Sequence, residues 1–284
     1  MKPRYLVKLK TKSNKINSKS NKSNKSKNNN KKESKRKTRK NKRVKKGGAP
    51  YVEEVVVGSG LVKKGVNPHI VPDVEDYDCS DKNIISLDLS KCPNLSQLWC
   101  GNNQITELDL QNCPKLNNLY CSYNQITELN LSNCPDLIGL GCHHNQITEL
   151  DLQNCPKLMD LSCGFNQITE LDLQNCPKLN HLLCSNNQLT ELDLQNCPNL
   201  TKLYCDNNQI TELDLQNCPN LTFLWCRNNQ LKELDISQNT EITKMITTTN
   251  PFRTKFDYDI DNNIEKYREW CKENNTYHNI SMLK

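Results

Sequence analysis

From about position 74 the apolar and polar positions recur with a fixed beat. Leu95, Leu98, Cys100, Asn103 and Ile105 spell L-x-x-L-x-C-x-x-N-x-I, and Leu116, Leu119, Cys121, Asn124 and Ile126 spell it again. In Leu98-Trp99-Cys100 the side chains alternate in, out and in, which predicts one short strand per unit. Leu108 and Leu110 alternate in the same way on the return side. Eight cysteines at 79, 100, 121, 142, 163, 184, 205 and 226 lie 21 residues apart, and seven more, from 92 to 218, keep the same spacing. A fixed period in the twenties predicts a solenoid with one supersecondary unit per turn and a parallel sheet on its strand face.

Stacked turns lie about 4.8 Å apart, so like residues form columns. Cys100 stands where an inward leucine would, and a thiol is small and nearly apolar; Cys113 lies past the return beside Pro114, which fixes a corner. Two buried thiol columns follow. Zinc held by cysteines of stacked turns and disulfides along a column are the alternatives. Spacings that alternate between 13 and 8 residues weigh against the first, and parallel Cβ vectors against the second. The asparagines from Asn103 to Asn229 are read as buried amides that satisfy backbone groups inside each bend. The Thr106-Glu107 and Asp109 columns are read as a solubilising outer face.

The repeat resembles the leucine-rich-repeat motif, L-x-x-L-x-L-x-x-N/C-x-L, with cysteine in the third leucine position. More narrowly it is similar to the cysteine-ladder leucine-rich repeats of the internalin J type and of proteins encoded by giant DNA viruses. The resemblance covers about residues 74–252 and implies a horseshoe solenoid of about nine 21-residue turns with short extended or 3-10 returns. Such repeats serve many partners, so the resemblance speaks for fold rather than function.

Charge changes the picture at the N-terminus. The chain has 284 residues and a net charge of +6, but residues 1–46 hold 21 Lys/Arg and only Glu33 as an acid. That leaves 17 basic and 31 acidic side chains for the rest. Residues 1–46 are Lys/Asn/Ser-rich and nearly free of aliphatics, so they are expected to form a disordered basic arm. The opening lacks the apolar core of a secretory signal, and no apolar run reaches membrane-span length. An intracellular protein, cytoplasmic or nuclear, with reduced thiols is expected.

Residues 47–73 are expected to cap the first turn, with a β-hairpin at 51–66. Its Gly58-Ser59-Gly60 lacks the third glycine of a nucleotide loop. The first unit is degenerate at Val74, Tyr77, Cys79 and Lys82, and the last at Ile242, Met245, Thr247, Asn250 and Phe252, as capping turns are. Asn239 stands where a ladder cysteine belongs. Residues 253–284 are expected to form a second cap. A short helix from Asp261 would lay Ile264, Tyr267, Trp270 and Cys271 over the open core.

Function is sought on the strand face, where outward residues vary while the core stays constant. The candidate partner-binding residues are Trp99, Tyr120, Tyr123, His143, His144, Phe165, His181, Tyr204, Phe223 and Trp225. Exposed Trp and Tyr are typical interface anchors. Gly139, Gly141, Ser162 and Gly164 predict a shallow depression between two aromatic clusters. No nucleophile motif, phosphate loop or His-Glu-x-x-His occurs, so neither catalysis, a cofactor nor a metal is expected. The reading is a non-enzymatic protein-interaction module. The alternative makes residues 1–46 a non-specific nucleic-acid binder or nuclear-targeting segment.

Overall fold

The computed structural model describes residues 74–256 and 259–281. The basic arm at 1–46 and the hairpin expected within 47–73 lie outside the described residues. Nine three-residue strands form one parallel sheet in chain order: β1 (Asp76–Asp78), β2 (Gln97–Trp99), β3 (Asn118–Tyr120), β4 (Gly139–Gly141), β5 (Asp160–Ser162), β6 (His181–Leu183), β7 (Lys202–Tyr204), β8 (Phe223–Trp225) and β9 (Lys244–Ile246). Each strand pairs with the next at a register shift of 21, so Leu98 lies beside Leu119 and Trp99 beside Tyr120. The middle residue of every strand points inward and is buried. On the return side Leu108 and Leu110 close the coil, and Cys113 N–H bonds to Leu110 O at 3.0 Å to turn the corner at Pro114.

All sixteen thiols are free and buried. Desolvation raises Cys121 and Cys163, on the strand side, to about 12 from an ordinary value near 9. The same cause lifts Cys113 and Cys176, on the return side, to about 12. These groups are packing atoms rather than nucleophiles.

The asparagine column joins the turns. Asn124 donates through Nδ2 to Cys121 O of its own turn at 3.0 Å and to Cys100 O of the preceding turn at 2.9 Å, while its Oδ1 accepts from Ile105 N–H at 3.0 Å. The pattern continues one turn beyond Asn229, because Asn250 bonds to Cys226 O and Thr247 O. The Asp column also has a backbone role that its outward position conceals. Asp109, Asp151, Asp172, Asp193 and Asp214 each accept the amide N–H two residues on, at 2.8–2.9 Å. Asn130 does the same for Ser132 at 3.0 Å, so the turn uses the oxygen rather than the charge.

The final turn exchanges thiols for polar groups, each with a partner. Thr247 replaces a strand-side cysteine and donates to Asp261 Oδ1 at 2.8 Å; Asn239 replaces a return-side one and donates to Leu215 O and Cys218 O. A 3-10 turn (Pro251–Lys255) leads towards helix α1 (Ile264–Ser281). The helix starts at Ile264 rather than Asp261, because the Asp261 carboxylate is held by Thr247 and by Arg253 at 2.9 Å. Tyr267 and Cys271 are buried and both donate to Leu234 O. Trp270 departs from the expected buried face and is 39% exposed. Arg268 takes that place, donating to Asn239 O at 3.1 Å and Ile242 O at 3.2 Å, which satisfies carbonyls the last turn would otherwise leave open. No described helix is long and apolar enough to cross a membrane.

Candidate functional site

The strand register sets the outward residues in two columns. One runs Asp78, Trp99, Tyr120, Gly141, Ser162, Leu183, Tyr204, Trp225, Ile246, and the other begins at Asp76 and ends at Lys244. The candidate aromatics fall into three groups. Trp99 and Tyr120 stack with centroids 6.2 Å apart. Tyr204 meets Trp225 edge-on at 4.8 Å, with Lys244 Nζ 5.2 Å above the Trp225 ring and Lys202 Nζ 5.8 Å above Phe223. Both lysines belong to this group and were missed in the sequence, where nothing ties a cation to a ring one turn away. Trp225 Nε1 is enclosed and has no acceptor among the described residues.

The third group lies past the strand ends, on the corner of each turn. There the backbone is left-handed at every repeat, with φ of 54° at Asn102, 60° at Asn186, 55° at Asn207 and 52° at Asn228. Asparagine tolerates that region; bulky residues seldom do. Three successive turns nevertheless carry Tyr123, His144 and Phe165 there, at φ of 57°, 54° and 54°. Their rings stack at 4.3 and 4.1 Å, and Tyr123 and Phe165 are 53% and 49% exposed. His143 sits beside the stack, edge-on to Tyr123 at 5.2 Å, with Nδ1 at 2.8 Å from Ser122 Oγ and 3.2 Å from Ser162 Oγ. Burial first, and the neighbouring His144 second, push its pKa below the usual imidazole value. A neutral ring accepting from hydroxyls fits that shift.

His181 stands apart from these groups, 2.5 Å from Asp160. The expected depression at β4 is roofed over. A side chain at Gly141 would meet the Tyr120 ring at 2.9 Å, and one at Gly139 would meet Asn118 Oδ1 at 2.6 Å, so both glycines are buried under β3. Ile138 and Met159, 39% and 43% exposed, precede β4 and β5 and add an apolar rim that the strand columns alone do not reveal. Their counterparts in other turns are polar: Ser96, Asn117, Asn180, Thr201 and Thr222. Among the described residues no group of His, Cys, Asp or Glu is arranged to hold a metal ion.

A leucine-rich-repeat model spanning two copies of the repeat matches residues 177–217 and 198–245. The functional domain of InlJ from Listeria monocytogenes, which includes a cysteine ladder, superposes with a TM-score of 0.55 at 32% identity, over 66% of this chain and 51% of that one. The described residues form a cysteine-ladder leucine-rich-repeat solenoid. The internalin InlF of the same organism superposes at TM-score 0.58 and 25% identity, over 62% of this chain and 54% of that one. YopM of Yersinia enterocolitica does so at TM-score 0.50 and 30% identity, over 66% of this chain and 44% of that one. The leucine-rich-repeat chain thus spans about half the length of the solved structures it matches. No curated protein matches it.

Proposed function

We propose that this solenoid is a non-enzymatic protein-interaction module that presents its strand face to a protein partner. One observation carries the reading. The interior and the return side repeat almost without change, whereas aromatic and aliphatic side chains break the polar pattern mainly on the strand face and its two rims. Two of them, Tyr123 and Phe165, hold a backbone conformation their residue type disfavours, and strain of that kind collects at binding sites. Anchors would be Trp99, Tyr120, Tyr204, Phe223 and Trp225, with Tyr123, His144 and Phe165 on the rim and His143 and His181 supporting them. An intracellular location suits free thiols.

The experiment is quantitative capture by the immobilised full chain. Trp99→Ala and Trp225→Ala should each weaken a captured protein by about 2 kcal/mol or more. Glu170→Ala, on the return side, should leave capture unchanged. Normal capture by both tryptophan variants with failure of Glu170→Ala would move the site to the opposite face. A second reading is favoured by the 21 Lys/Arg of residues 1–46. In it the arm neutralises nucleic-acid phosphates, and capture of nucleic acid by the arm would fall steeply with salt.

A further inference from the structure

Read from β1 to β9, the outward strand residues place an acid and a lysine at opposite ends of one column and matched aromatics along the other. The acids on these positions are Asp76 and Asp78 on β1 and Asp160 on β5, and the lysines are Lys202 on β7 and Lys244 on β9. Trp99 on β2 matches Trp225 on β8, and Tyr120 on β3 matches Tyr204 on β7. Each matched pair occupies the same column of the sheet. None of the ion pairs among the described residues engages Asp76, Asp78, Lys202 or Lys244.

We propose that the partner of the strand face is a second copy of this chain, docked face to face about a twofold axis that runs parallel to the strands through β5. The proposal rests on the strand face being the interaction surface. The operation reverses the order of the strands and keeps their direction, so each column lies over itself. Asp76 then faces Lys244 of the second copy, Trp99 faces its Trp225, and Tyr120 faces its Tyr204. Leu183, 38% exposed, meets the Gly141 position, where the Tyr120 ring offers an apolar surface. At the axis Met159 and Phe165 each meet their own equivalents, which accounts for two of the exposed apolar rim residues. Asp160 also approaches its equivalent, and in each copy it is paired with its own His181 at 2.5 Å.

Charge selects this arrangement over the other twofold. An axis along the solenoid would set β1 on β1 and exchange the two columns, opposing Asp76 with Asp78 and Trp99 with Gln97. The size is also right. Eight strand spacings of about 4.8 Å give a length of roughly 38 Å. The six residue steps from the Met159 column to the Phe165 column give a width of roughly 20 Å. The product, about 760 Å² per copy, is close to the roughly 800 Å² per partner of a standard stable interface.

The test uses the full chain, nuclease-treated so that the basic arm cannot bridge copies through nucleic acid. Sedimentation equilibrium and light scattering should show a monomer–dimer equilibrium. Lys244→Glu or Asp76→Lys alone should weaken the dimer about tenfold, and the double variant should restore it, because both ends are then re-paired with signs exchanged. Trp225→Ala should weaken it about thirtyfold. A spin label on Ser162→Cys, selectively reactive because every native thiol is buried, should report a label-to-label distance below roughly 20 Å across sheets packed about 10 Å apart. A chain that stays monomeric at all accessible concentrations overturns the proposal, as does a dimer indifferent to the charge swaps. A monomer that captures a different protein, and loses it on Trp225→Ala, overturns the dimer and leaves the strand-face reading standing.

Discussion

Inside the solenoid, columns repeat; on the strand face they do not. Cys100, Cys121, Cys142 and their successors occupy one environment seven times, and the asparagines make the same bonds turn after turn. One residue before each of these cysteines, the outward position carries Trp, Tyr, Gly, Ser and Leu in succession. Interior positions answer to the neighbouring turn, which is identical, so one solution serves all. Outward positions answer to neighbours that vary from strand to strand, and they are free to differ. Substitutions inside should therefore act on stability and those outside on association.

The largest effect expected is on the interior as a whole. Folded thiols such as Cys121 and Cys163 are raised to about 12 by burial, so above pH 9 the unfolded chain loses thiol protons that the native chain keeps. Fewer protons bound in the unfolded state means stability falls as pH rises. Each thiol contributes on the order of 1 kcal/mol per pH unit, and the ladder thiols act together. Circular dichroism should show cooperative unfolding within about one to two pH units above 9, with thiol alkylation tracking it. Gradual alkylation of a chain that stays folded would contradict burial.

Next comes a single interior amide. Asn166 bonds to Cys142 O, Cys163 O and Ile147 N–H, so Asn166→Ala leaves three buried groups short and should cost about 3 kcal/mol or more in denaturant melts. Cys163→Ser buries a hydroxyl with no assured partner and should cost about 1–3 kcal/mol. Asp172→Ala loses one turn-closing bond, about 1 kcal/mol, whereas Asp172→Asn should cost almost nothing, since Asn130 already makes that bond. The smallest stability effect is expected outside. Phe165→Asn should leave the melt within about 0.5 kcal/mol, since relief of left-handed strain offsets the lost ring contact. The same variant should weaken association, and a melt shifted as far as that of Asn166→Ala would erase the contrast between inside and outside.

The same contrast governs what could be read from the sequence. The ladders and the asparagine column were legible because a strict period turns every turn into a repeat of one measurement. Two aromatic groups, Trp99 with Tyr120 and Tyr204 with Trp225, were legible, but the third was not. The signal for the third group lay in Asn102, Asn186, Asn207 and Asn228, since a recurring asparagine at a corner marks left-handed backbone and makes Tyr123, His144 and Phe165 the anomalies. Tyr120 leaning over Gly141 is a rotamer choice that no spacing encodes. Trp270 and Arg268 exchanged roles because open carbonyls at Asn239 and Ile242 needed donors, a demand visible only once the last turn is built.

The asparagine stitching has a consequence for how such a chain can change its length. The side chains of Asn124 and its equivalents bond only within their own turn and to the turn before it, and α1 bonds only to turns near the end. A tandem duplication or deletion of one 21-residue unit in the gene would therefore leave every remaining junction chemically unchanged. The ruler would lengthen or shorten by about 4.8 Å per event. A face that mates with its own reversal is less forgiving, because one added unit shifts the midpoint away from β5 and sets Trp99 opposite the wrong rung. Copy number, neutral for folding, would be under selection through pairing alone.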